Sequence, residues 1–212
     1  MNDRENNRVK VIGTVVGEVT KSHEFCGETF YQFDLKAERT SGTEDILPCM
    51  VSDRLCNIGK VQDGTILELT GQLRSFNLHT NDKTRAKLIL SVFGLDIQFL
   101  PELGEYEREN NNGIELIGWL CKAPSYRITP FGREIADILV AVNRPYGKSD
   151  YIPCIVWGRN ARFASGLEVG TNINIKGRVQ SRNYTKMIDG EAMARTAYEV
   201  SVSNITAGAL YV

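Results

Sequence analysis

From position 134 to 142 the chain puts Ile135, Asp137, Leu139 and Ala141 on one phase and Ala136, Ile138, Val140 and Val142 on the other. That is the period of a β-strand with apolar side chains on both faces. Similar runs flank it. Residues 113–126 predict a long first strand, closed by Thr129-Pro-Phe-Gly132, a turn in which Pro presets φ and Gly accepts a positive one. Residues 151–157 predict a third strand, and residues 160–165 a short helix stopped by Gly166. Residues 172–184 and 195–205 predict two further strands, joined by a loop holding the hairpin signal Asp189-Gly190.

This half of the chain has a near copy in the other half. Gly13 matches Gly118, Gly27 matches Gly132 and Arg39 matches Arg144, each pair 105 positions apart. The run Asp45-Ile-Leu-Pro-Cys-Met-Val-Ser-Asp53 matches Asp150-Tyr-Ile-Pro-Cys-Ile-Val-Trp-Gly158 at the same offset. After one inserted residue, Gly64-Thr65, Gly71 and Ser75 match Gly170-Thr171, Gly177 and Ser181 at an offset of 106. A register held over that span means a tandem repeat. Five short strands with one helix between the third and fourth fit an OB-fold, a small Greek-key barrel. The chain is therefore all-β, two tandem OB-folds of five strands, each with a short helix. Gly13, Gly71, Gly118 and Gly177 fall where strands of so small a barrel must bend or bulge. Residues 1–100 form the first unit and 114–212 the second. Residues 101–113 between them are charged, then Asn-rich, and read as a solvated linker.

Composition adds little until it is divided between the repeats. The whole chain has 212 residues and a formal net charge of −1. Residues 1–109, however, hold 13 Lys and Arg against 18 Asp and Glu, and residues 110–212 hold 12 against 8. A basic unit is tied to an acidic one. The polar start, MNDRENNRVK, does not read as a secretion signal and no apolar run reaches a membrane span, so a cytoplasmic protein with no membrane association is expected. Five cysteines without a C-x-x-C spacing and two histidines argue against a metal site or disulfide framework. Cys49 and Cys154 sit in apolar strands and read as small buried hydrophobes. His23 and His79 lie in polar, turn-like segments and read as exposed structure. Glu44, Asp45 and Asp53 are spread over strand ends with no nucleophile beside them, so neither catalysis nor a cofactor is expected.

The second repeat carries exposed-looking aromatics among cations. Tyr151 and Trp157, six positions apart on one strand, face the same side, and Cys154 between them faces the core. Tyr146 lies in Arg144-Pro-Tyr-Gly-Lys-Ser149, and Tyr184 in Gln180-Ser-Arg-Asn-Tyr-Thr-Lys186. Lys176, Arg178 and Arg182 occupy alternate positions of one strand and so form a stripe. Rings for bases and cations for phosphates are what a single-strand binder needs.

The runs Arg127-Ile-Thr-Pro-Phe-Gly132, Ala136-Asp-Ile-Leu-Val-Ala-Val-Asn-Arg144, Asp150–Gly158 and Gly177-Arg-Val-Gln-Ser-Arg-Asn-Tyr184 follow one another with the spacing of the bacterial single-stranded-DNA-binding protein family, which this repeat resembles. The resemblance implies an OB-fold and sequence-tolerant binding of single-stranded DNA in replication, recombination or repair. It implies stacking by Tyr146, Tyr151, Trp157 and Tyr184. Phosphates would fall to Arg144, Lys148, Arg159, Lys176, Arg178, Arg182 and Lys186. It further implies assembly of four OB-folds, here a homodimer, and a nucleoid-associated location.

The first repeat departs from this pattern. It places Ser41, Ile46, Ser52 and Leu78 at the four aromatic positions, and Phe76 reads as core. It is expected to be a degenerate, scaffolding OB-fold. The resemblance also implies an acidic tail that recruits replication proteins; the sequence runs to Ala209-Leu-Tyr-Val212 with no such stretch, so recruitment by that route is not expected. The competing reading is a tandem OB-fold interaction scaffold or primosome-type adaptor with little DNA affinity, its aromatics serving a protein interface.

Overall fold

The computed structural model describes residues 6–79, 86–188 and 191–208. The first repeat comprises strands β1 (Asn7–Phe25), β2 (Glu28–Glu38), β3 (Glu44–Ser52), β4 (Ile66–His79) and β5 (Ala86–Phe99). After the helix α1 (Glu105–Glu109), the second comprises β6 (Asn112–Leu120), β7 (Ser125–Ile128), β8 (Glu134–Asn143), β9 (Ser149–Trp157), helix α2 (Gly158–Ser165), β10 (Asn172–Ile188) and β11 (Glu191–Ala207). Strand order is β2-β3-β5-β4-β1-β6-β10-β11-β9-β8-β7, with β2–β1 and β6–β8 pairings that close each repeat on itself. Each barrel has one parallel contact, β3 with β5 and β9 with β11. The two tandem OB-folds are thus present.

Each barrel is filled by the strand positions that alternate inward. Val11, Leu35, Leu47, Cys49, Leu67 and Val92 are buried in the first, and Leu116, Val140, Ile152, Cys154, Ile175 and Val200 in the second. Burial pushes the thiols of Cys49 and Cys154 far up, as expected of inert core cysteines. In both repeats a glycine allows the strands to cross closely. A Cβ on Gly71 would run into the Phe93 carbonyl oxygen, and one on Gly177 into that of Ser201. Both glycines sit at register shifts, where the partner strand carries the extra residue, Leu95 on β5 and Ser203 on β11.

Several expectations need correction. The expected single strand over residues 113–126 is two, β6 and β7, because Pro124 lies in the break and has no N–H for a ladder. In the first repeat the same bend is made inside β1, at Gly17 with φ 78°. The first repeat has no α-helix between its third and fourth strands. It has a single 3₁₀ turn, Ile58–Lys60, capped by the Asn57 side chain. Gly59 stands there where α2 has Ala164, and glycine disfavours helix. The linker is also shorter than expected. Residues 105–109 are helical with nothing buried, and β6 has begun by Asn112.

The barrels meet along β1 and β6, paired antiparallel from Asn7↔Leu116 to Val11↔Asn112. A pseudo-two-fold axis runs through this seam. Asn7 bridges the backbone of Leu73, donating at 2.8 Å and accepting at 2.9 Å. Its repeat partner Asn112 does the same to Val179, at 2.7 and 3.0 Å. The carboxylates cross over. Asp45 accepts from the Ser181 N–H at 2.8 Å, and Asp150 from the Ser75 N–H at 2.5 Å. Arg39 forks onto Asp45 with two 2.7 Å hydrogen bonds. Arg144 forks onto Asp150, and Arg74 adds a third arginine bond at 3.1 Å. The polar residues repeated in both halves, Arg39/Arg144, Asp45/Asp150 and Ser75/Ser181, are therefore the residues of the seam.

Candidate nucleic-acid interface

β9 leaves the seam at Asp150 and ends at Trp157, with Ile152, Cys154 and Val156 directed inward. Tyr151 and Trp157 point outward, 46% and 37% exposed. Six residues of strand separate them by roughly 20 Å. Each is held from below. The Tyr151 N–H donates to Ser75 Oγ of the other repeat at 2.8 Å, and Trp157 Nε1 donates to Ser201 Oγ on β11 at 3.3 Å. The indole is fixed by its edge, which leaves a ring face to solvent.

Tyr184 lies on the part of β10 that extends beyond the barrel, paired with Arg195 of β11. It is 39% exposed, and the Arg182 guanidinium sits 5.7 Å from its ring centroid, within cation–π range. The backbone of Tyr146 is in the turn Pro145–Gly147, but its side chain lies outside the described residues, as does that of Lys186. The Asp189-Gly190 hairpin signal and residues 209–212 lie outside them too, as does the His79 side chain.

The cations divide by what they already hold. Arg144, expected on phosphate, is committed to the fully buried Asp150 and to the Ser75 carbonyl at 2.9 Å. Moving it would strand a buried carboxylate, so it is structural. Lys176 differs from Arg178 and Arg182 in being taken by a carboxylate of its own sheet. It shares their phase on β10, which runs in unbroken register with β6 through Gly177, but it pairs with Glu115 at 2.7 Å. Lys148 and Arg159 are exposed and make no ion pair among the described residues. Arg182 is shared, its Nε 3.5 Å from Glu199.

Arg178 faces a groove of about 710 Å³ along the seam. Trp157 and Arg182 line the same groove. So do two arginines absent from the sequence reading, Arg133 at the head of β8 and Arg39 from the first repeat. A signal for Arg133 was available: its repeat partner is Glu28, a charge reversal between the copies. Arg39 gave no such signal, since its match to Arg144 marks the seam.

The same face of the first repeat has a different chemistry. Ser52 is buried and donates to Glu28 at 2.8 Å, and Arg54 closes on the same carboxylate at 2.6 Å. Both oxygens of Glu28 are thereby engaged, which holds its pKa below the usual range. Ile46 is half-buried. Ser41 is exposed in the turn after β2, and the Leu78 side chain lies outside the described residues. Phe76 is exposed, not core, because β4 carries it past the barrel. His23 is exposed as expected and stacks on Phe30 at 4.8 Å. Among the described residues no cluster could hold a metal ion, and no helix is long and apolar enough to cross a membrane.

Residues 111–207 match the model of the single-strand binding protein family. Single-stranded DNA-binding protein 3 of Listeria innocua is 40% identical over 80 residues, covering 34% of this chain and 50% of its own. Single-stranded DNA-binding protein A of Bacillus subtilis is 38% identical over 80 residues, with 34% and 46% covered. The chain spans about half the length of the curated relatives it matches. The crystal structure of wild-type single-stranded DNA binding protein from Thermus aquaticus superposes with a TM-score of 0.73 at 18% identity. That likeness covers 95% of this chain and 92% of the other, so the fold is common to both repeats.

Proposed function

We propose that the chain, whose residues 111–207 match the single-strand binding protein family model, binds single-stranded DNA without sequence preference, in replication, recombination or repair. The observation that carries this is the β9 face, where Tyr151 and Trp157 stand outward, the indole anchored by its edge, with Arg133 and Arg178 beside Trp157 and paired with no carboxylate among the described residues. Bases stack on Tyr151, Trp157 and Tyr184, each worth ~1–3 kcal/mol and indifferent to base identity. Tyr146 extends the set from the adjacent turn. Lys148, Arg159, Arg178 and Arg182 neutralise phosphates, which releases counterions and makes binding fall with salt. No bond is made or broken, so the activity is binding, not catalysis. The family match favours this reading over the adaptor one.

The first repeat serves as scaffold: its Ser52 site is closed by Glu28 and Arg54. Two chains would assemble four OB-folds as a homodimer, in the cytoplasm and at the nucleoid. The test is titration with oligo-dT, following tryptophan fluorescence across a salt series. Quenching that weakens with salt is expected, and its absence overturns the proposal.

A further inference from the structure

The seam groove is not symmetric, although the seam is. Around it stand Arg39, Arg133, Arg178 and Arg182, with Trp157 and the lone carboxylate Glu44. The pseudo-two-fold mate of this groove has Glu28 for Arg133, Ser52 for Trp157, Gln72 for Arg178 and Phe76 for Arg182. Its own seam arginines, Arg74 and Arg144, are both bound to Asp150. Arg178 has no such partner. Its contact is with Gln180 at 3.4 Å, and its Nε is buried without a hydrogen bond among the described residues. Burial lowers the Arg178 pKa and Arg39 pushes the same way, against Asp45. The fold has gathered positive charge here that its own carboxylates do not balance.

Arg39 adds a donor from the other repeat. Asp45 takes its Nε and one Nη2 proton, and a guanidinium has five N–H groups. The spare edge is fixed in place by the buried carboxylate and lines the groove. Planar forks held this way match phosphate oxygens bidentately.

We propose that single-stranded DNA running along β9 continues past Trp157 across the seam, its phosphates held by Arg133 and Arg178 of the second repeat and Arg39 of the first. The acidic repeat then completes the binding site. This rests on the DNA-binding function proposed above.

The test uses the full chain with Arg133→Glu and Arg178→Gln, singly and together. Both changes install the residue that the chain itself carries at the matching position, Glu28 and Gln72. Affinity for oligo-dT is measured across a salt series, with Tyr151→Ala in parallel. Each arginine variant should bind roughly tenfold more weakly. The double variant should lose about 1.4 from the slope of log K against log salt, two phosphates at ~0.7 each. Arg39→Lys keeps a charge for Asp45 and removes the spare fork, so affinity should fall, while the one hydrogen bond lost to Asp45 lowers the melting temperature by only about 2–4 °C. Unchanged affinity in all four arginine variants and an unchanged slope in the double, with Tyr151→Ala weakened, overturn the seam crossing and leave the β9 site standing. No binding by the unaltered chain overturns both.

Discussion

Asp150→Ala tests how the seam is held. The Asp150 side chain is fully buried and accepts from Arg144, from Arg74 at 3.1 Å and from the Ser75 N–H at 2.5 Å. Removal leaves the Ser75 amide without an acceptor and two guanidiniums without a counter-charge, holding only the Ser75 carbonyl and the Gln72 side chain. Breaking a buried ion pair from one side costs about 3–5 kcal/mol. Arg144 and Arg74 keep 25% and 23% of their side-chain exposure, so water screens them and the lower end, ~3 kcal/mol, applies. For a chain of this size that is a melting-temperature loss of roughly 6–12 °C. Asp45→Ala should cost about 1 kcal/mol less, because Asp45 is bonded by one arginine where Asp150 is bonded by two. Urea unfolding by circular dichroism, with the slopes compared, measures both. A loss below about 1 kcal/mol at Asp150, or the reverse order, would refute the assignment of the seam to these carboxylates.

Trp157 and Trp119 are both partly exposed, but only Trp157 lines the groove. Trp157→Phe should therefore remove most DNA-induced quenching, and Trp119→Phe should leave it. Tyr184→Ala, measured by oligo-dT affinity, should cost ~1–3 kcal/mol, without changing the salt slope, because no charge is lost. Gly177→Ala drives a methyl into the Ser201 carbonyl and should destabilise by about 1–3 kcal/mol in urea.

Strand positions, the helix α2 and the repeat were legible because period-two patterning and a fixed offset are local properties of the string. Tyr151, Trp157 and Cys154 were placed correctly by phase alone, since β9 runs without a bulge. Lys176 keeps the same phase as Arg178 on β10, but its partner Glu115 on β6 lies 61 positions away and no pattern announces it. Arg144 was misread for the same reason. A cation beside a tyrosine resembles a phosphate ligand until its partners, Asp150 and the Ser75 carbonyl, are brought in from 69 or fewer positions away. Pairing between repeats is a tertiary fact. Its trace in the sequence was the one least expected to matter, polar residues kept at matching positions in both copies.

The β1–β6 pairing joins two halves that each chain carries once. In a symmetric dimer any substitution would appear on both sides of the axis, and a gain on one face would be imposed on the other. Covalent fusion lifts that constraint. It also makes the seam independent of protein concentration, since dilution cannot part halves held on one chain. The two barrels are free to drift apart in chemistry while their mutual orientation persists.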